Sequence, residues 1–169
     1  MFYRLVIVPK VSGPALDPKR APEIIARNLE AAMWEAVLYG ETQVKERTPV
    51  GVFGEQGGLR GSVFGEVRGR SARELLGVVS TPLEYAEPVE LGTRPHWAPI
   101  APLVRWSEKI LGLHGAEAKQ AAYAIRGAIA KRGTRPRLMF RRGLAASLPK
   151  LEQMFDRMGF QIAVELSGP

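Results

Sequence analysis

Apolar positions change their period several times along the chain, and each change marks an element. Phe2 to Val8 is a run of aromatic and β-branched residues closed by Pro9, which predicts a first strand. Residues 9–21, with Gly13, Pro14, Asp17 and Pro18, read as a loop or arm. Pro22 stands where a first helical turn accepts proline, and Glu23 follows it. From there Ile25, Leu29, Ala32, Met33, Ala36, Val37, Gly40 and Val44 recur at helical spacings. They predict one long amphipathic helix ending near Arg47, with Thr48-Pro49 as its stop. At ~1.5 Å per residue such a helix is about 35 Å long, enough to cross a sheet.

Val50 to Gly58 is glycine-rich and reads as a flexible loop. Leu59, Gly61, Val63, Gly65 and Val67 then alternate with Arg60, Ser62, Phe64, Glu66 and Arg68. That period of two predicts a strand with one small or apolar face and one mixed face. Gly69 to Ala72 is a turn, and Glu74 to Thr81 a second strand, so the pair forms a hairpin. Tyr85 to Leu91 reads as a short third strand, which Pro88 confines to an edge or bulge. Beyond Gly92 the pattern turns helical. Segments are predicted at about Leu103 to Leu111, at Ala116 to Lys131, and at Arg137 to Met158, where Pro149 should kink or restart the helix after Ser147. Phe160 to Leu166 alternates again and predicts a last strand. Gly92-Thr93-Arg94-Pro95 recurs as Gly133-Thr134-Arg135-Pro136, and the two copies bracket an inserted helical pair. The whole is an α+β fold: an antiparallel β-sheet packed against one long α-helix, with an inserted helical segment at about 96–132. It is read as one domain over residues 1–169, with an N-terminal strand and arm at 1–21.

Composition narrows the possible functions. At 169 residues and 46% hydrophobic content, one well-buried core is expected. The absence of cysteine excludes a disulfide scaffold, thiolate metal sites and a cysteine nucleophile. No apolar run approaches the ~20 residues of a membrane span, and the N-terminus reads as a strand rather than a signal peptide, so an intracellular protein without membrane attachment is expected.

The net charge of +7 is uneven. Residues 1–90 hold 11 Lys/Arg and 12 Asp/Glu, whereas residues 91–169 hold 13 and 5. The densest part carries Arg126, Lys131, Arg132, Arg135, Arg137, Arg141 and Arg142 with no acidic residue among them. It reads either as a solvated basic face or as a contact for a polyanion, and no aromatic is interleaved in it as stacking would require.

Catalytic patterns are missing. His96 and His114 form neither an HxxxH nor an HExxH pair, and the glycine-rich loop lacks the Gly-Lys-Ser/Thr ending of a phosphate cradle. Glu84, Glu87 and Glu90 are spaced by three, but Pro88 argues against a shared helical face, and no nucleophile–base pair can be named. Neither an enzyme activity, a cofactor, a metal nor a small-molecule substrate is expected.

One ordered set of motifs remains: Arg47-Thr48-Pro49-Val50, a glycine loop, Gly58-Leu59-Arg60-Gly61-Ser62-Val63, and Glu84-Tyr85-Ala86-Glu87-Pro88-Val89-Glu90-Leu91-Gly92-Thr93. It resembles the head–tail joining or tail-completion (neck) proteins of long-tailed bacteriophages, whose pattern runs RTPV, loop, LRxS, hairpin, YAxxVExGT, then Pro and a final helix. Pro136 to Leu144 stands in place of that last part. The resemblance covers about 95 residues with the insertion removed, taken as a fraction of one domain. It departs in the longer loop Gly51 to Gly58, in the insertion and in the N-terminal strand and arm.

The resemblance implies a virion structural protein that assembles into a ring around the DNA path, a hexamer being favoured over a dodecamer. Its partners would be other copies of itself, other neck, connector or tail-tube proteins, and packaged DNA held without sequence preference. Its place would be the head–tail junction, reached from the host cytoplasm. Arg60 and Ser62 on the mixed face of their strand, with Tyr85, Val89, Glu90 and Leu91 on the edge strand, would then form the subunit interface, and the basic residues from Arg126 to Arg142 would face the DNA channel. The competing expectation is a non-sequence-specific nucleic-acid-binding protein acting through the basic 126–142 segment.

Overall fold

Small residues decide how the long helix meets the sheet. In the computed structural model, which describes residues 2–5, 21–52, 58–69 and 75–167, helix α1 (Ala21–Arg47) lies against a three-stranded antiparallel sheet. Strand β3 (Leu76–Ser80) is central, between β1 (Phe2–Leu5) and β2 (Phe64–Arg68), with Phe2 and Phe64 both paired to Ser80. A Cβ on Gly65 would stand 2.4 Å from Val37 Cγ1, and one on Gly77 2.6 Å from Val37 Cγ2. Two glycines therefore let α1 sit closer to the sheet than any side chain would permit. The α+β class, the long helix and the hairpin follow the sequence pattern. The expected loop or arm at 9–21 falls outside the described residues up to position 20, as do the centre of the glycine loop and most of the predicted turn.

The chain divides into two compact units. One comprises Phe2–Val44, Phe64–Ser80 and Arg142–Pro169, and holds the sheet, most of α1 and most of α6 (Met139–Ser167). Here α6 runs antiparallel to α1. Leu29 and Ala32 meet Met158 and Ile162, and Ala36 meets Leu151 and Met154. Further along, Gly143 approaches so closely that a Cβ would lie 2.8 Å from Val44 Cα.

This contact shifts the buried stripe of α6. Gly143, Ser147, Leu151, Met154, Met158 and Ile162 are buried, whereas Leu148 is exposed. Ser147 satisfies its hydroxyl by donating to the Gly143 carbonyl at 2.9 Å. The predicted final strand at 160–166 is helix instead. Ile162 continues the helical stripe onto α1, and the burial it gains there outweighs the alternating local pattern. The helix also continues through Pro149 as one element rather than restarting after Ser147.

The other unit comprises Lys45–Val63 and Thr81–Arg141. It contains α2 (Gly58–Ser62), α3 (Ala86–Leu91), α4 (Ile100–Leu111), α5 (Gly115–Arg132) and the start of α6. Helices α4 and α5 form the expected inserted pair, with Ser107, Ala118 and Ala122 fully buried. Gly112 closes α4 in the left-handed conformation and donates to the Ser107 carbonyl.

Two predicted strands are helices here. Residues 59–62 form the short α2, so the strand begins only at Phe64, and residues 86–91 form α3. Pro88 is the third residue of α3, where its missing N–H would have had no intrahelical acceptor, so it starts a helix instead of marking an edge. No described helix is long and apolar enough to cross a membrane.

Candidate functional site

The motif residues that stood apart in sequence meet in the second of these units through a set of buried polar contacts. Thr48 is fully buried, and its carbonyl accepts from Arg60 Nε at 2.9 Å and Nη2 at 2.7 Å. Helix α2 is what turns Arg60 back onto the end of α1. Ser62 Oγ lies 2.9 Å from the Leu59 carbonyl and 2.7 Å from Thr81 Oγ1, linking α2 to the segment that follows β3. Both residues, placed by the sequence reading on a strand face turned to a neighbouring subunit, are engaged within their own chain.

Glu90 shows the same inversion more sharply. It was expected at an exposed edge, yet it is fully buried. Its Oε2 accepts from the Phe140 N–H at 3.0 Å and its Oε1 from the Arg141 N–H at 3.1 Å. Those are two of the four amides that every helix leaves without an internal acceptor at its start. A carboxyl group fifty positions away thus caps α6, where the helix dipole also favours negative charge. The approach is fixed by backbone as well, since Arg137 N–H donates to Val89 O and Leu138 N–H to Glu90 O, each at 3.0 Å. Leu138, at φ 55°, makes the turn into the helix in a conformation uncommon for a branched side chain.

The two Gly-Thr-Arg-Pro copies form a clasp. Thr93 and Thr134 exchange backbone hydrogen bonds at 3.1 and 3.2 Å, and their hydroxyls lie 3.0 Å apart. Gly92 (φ 74°) and Gly133 (φ 68°) precede them in equivalent left-handed conformations. A Cβ on Gly133 would fall 1.9 Å from the Thr93 carbonyl oxygen, so only glycine permits the crossing. The repeat therefore joins the two ends of the inserted helical pair.

Of the remaining predicted interface residues, Val89 is half-buried, while Tyr85 and Leu91 are about half exposed at 46% and 52%. They flank a short helix, not an unpaired sheet rim. Partial burial raises the Tyr85 phenol above its ordinary pKa.

The basic residues are spread over several elements. Lys131 and Arg132 end α5, where cations suit the helix dipole; Arg135 and Arg137 lie in the linker; Arg141 stands in the first turn of α6. Arg142 belongs to the other unit. None of these, nor Arg126, forms an ion pair with a described residue.

Arg126 has a different neighbour: its guanidinium lies 4.8 Å from the centroid of the Trp97 ring. This ring lies outside the basic run, twenty-nine positions earlier, and the aromatic inside the run, Phe140, is fully buried. The doubled Gly-Thr-Arg-Pro was the available signal, since the clasp it forms brings the segment after Arg94 alongside the end of α5, where His96 N–H reaches the Ile129 carbonyl. Among the described residues no group of His, Asp or Glu has a metal-binding arrangement. No family model, curated protein or solved structure matches the chain.

Proposed function

We propose that this chain is a non-enzymatic structural protein of a long-tailed phage or a related particle, one subunit of a ring at the head–tail junction, with six copies favoured. The observation that supports this reading is the convergence of the motif residues. Thr48 with Arg60, Ser62 with Thr81, Glu90 with the start of α6, and Gly92-Thr93 with Gly133-Thr134 are joined by hydrogen bonds within one unit. Short motifs matched by chance have no reason to be in contact. Residues that together define one fold do. The resemblance to neck proteins thus rests on a connected scaffold, and the motifs act in shaping the subunit.

The contact between subunits moves accordingly. The edge strand invoked for it does not exist, and Arg60, Ser62 and Glu90 serve the subunit itself. Tyr85 and Leu91 remain as exposed apolar side chains beside that scaffold, and a heterologous contact made through them closes a ring when the rotation fits. Other copies, neighbouring neck or tail-tube proteins, and packaged DNA held through its phosphates are the partners in this reading.

The test is to purify particles made by the genome that encodes the chain, quantify the protein in them by mass spectrometry, and repeat with Leu91→Asp. The wild-type chain is expected at a fixed stoichiometry to the connector, and Leu91→Asp is expected to yield heads without tails. Complete infectious particles lacking the protein would overturn the reading.

A further inference from the structure

Trp97 is 71% exposed even though a guanidinium lies against its ring. An indole with a cation on one face has its exposure concentrated on the other face and the edge. Arg126 is held in that position: it is half-buried, and its Nε is sealed from solvent with no hydrogen-bond partner among the described residues. Seven and three positions back along α5, at helical spacing and so on the same side as Arg126, stand Lys119 and Tyr123, the latter 59% exposed. Arg94 and Arg135, both exposed, adjoin the two threonines of the clasp. One side of α5 thus carries a lysine, a ring and an arginine stacked on a second ring, and two further cations flank the clasp that leads to Trp97. Residues 94–141 hold ten Lys/Arg against two Glu, so the surface attracts polyanions.

The rings decide which polyanion. A duplex presents phosphates and hides the faces of its bases, so it would use the charges and leave Trp97 and Tyr123 without a role. A purely acidic polypeptide would likewise use only the charges. An unpaired strand uses both, because every base has a face that stacks on an aromatic ring and every linkage has a phosphate for a cation.

We propose that Trp97, Tyr123 and Arg126, with Arg94, Lys119 and Arg135, form a binding site for single-stranded nucleic acid. Bases stack on the indole and the phenol, and the outer cations hold the backbone. The site is independent of ring assembly, since it uses neither Tyr85 nor Leu91.

Fluorescence anisotropy of the full chain tests this with a labelled oligothymidylate about 12 nucleotides long, the matching duplex, and polyglutamate as an acidic polypeptide. Micromolar binding of the single strand is expected, several-fold tighter than the duplex, with quenching of tryptophan emission. Trp97→Ala should weaken the single strand about tenfold and leave the duplex unchanged, and Trp97→Phe should recover most of the loss. Arg135→Ala should lower the salt slope on the single strand by about 0.7. Equal or tighter duplex binding that ignores Trp97 would overturn the proposal, as would polyglutamate binding that depends on Trp97 as strongly as the oligonucleotide does. Incorporation of Trp97→Ala into particles is expected to match wild type, so this result and the assembly result fail separately.

Discussion

The two units of this protein are held together by different chemistry. The unit with the sheet is largely apolar inside: Leu29, Met33, Ala36, Val37, Val78, Val79, Leu151, Met154, Met158 and Ile162 fill it, with Ser80 and Ser147 buried among them. The unit with the inserted helices buries Thr48, Thr81, Glu90 and Ser107 as well, and its distant segments are tied by hydrogen bonds to named atoms. An apolar core accepts many residues of similar volume. A buried carboxyl group facing two amides accepts almost none, because each unsatisfied partner costs its full desolvation. The segments Arg47–Val50, Gly58–Val63 and Glu84–Thr93 all lie in the polar unit, where such contacts tie them together.

The largest expected effect that would test the comparison is Glu90→Ala. It leaves the buried Phe140 amide and the part-buried Arg141 amide without this acceptor and removes the cap of α6, for a loss of about 3–4 kcal/mol in urea unfolding. Glu90→Gln keeps one good acceptor and should lose about half as much. If Glu90→Ala unfolded at the wild-type urea concentration, the polar unit would not depend on this residue. Next comes Gly133→Ala. Its new Cβ meets backbone, which cannot turn aside, in a conformation that L residues avoid, and a loss of about 3 kcal/mol is expected.

Legibility followed the same division. The 3.6-residue period of α1 was plain in the sequence because its burial recurs at helical spacing along the whole element, and β3 lies within the strand expected at Glu74 to Thr81. The errors fell where a contact from far along the chain overrides a local pattern. Residues 59–62 alternate like a strand, but Arg60 is drawn back to the Thr48 carbonyl by a helical turn. Residues 160–166 alternate as well, but Ile162 and Leu166 find α1 at helical spacing. In the candidate site the basic run was visible and its aromatic partner was not. Trp97 reaches Arg126 only because the two Gly-Thr-Arg-Pro copies cross, and a repeat does not announce that its copies touch.

Smaller effects sharpen the comparison from the apolar side. Met154→Leu, which conserves volume, should cost less than about 1.5 kcal/mol. Gly65→Ala should cost about 2 kcal/mol, less than Gly133→Ala, because its nearest atom is a side-chain methyl at 2.4 Å rather than a backbone oxygen at 1.9 Å and its backbone is not in the left-handed region. Thermal melts of the two glycine variants, run together, test this order. Reversal would mean that the sheet glycines are constrained more tightly than the clasp.

The smallest effect is expected at the surface. Arg157 donates to both carboxylate oxygens of Glu35 at 2.8 and 2.7 Å, a geometry as good as that of Arg60 on Thr48. The two contacts differ in burial. Both side chains of the Arg157–Glu35 pair are about half exposed, so water replaces what is lost and salt screens what is gained. Arg157→Ala should therefore cost about 0.5 kcal/mol, falling further at high salt. Arg60→Ala leaves a buried carbonyl without this donor and should cost about 1–2 kcal/mol at any ionic strength. A salt-independent loss at Arg157 equal to that at Arg60 would show that hydrogen-bond geometry, rather than burial, sets the strength of these contacts.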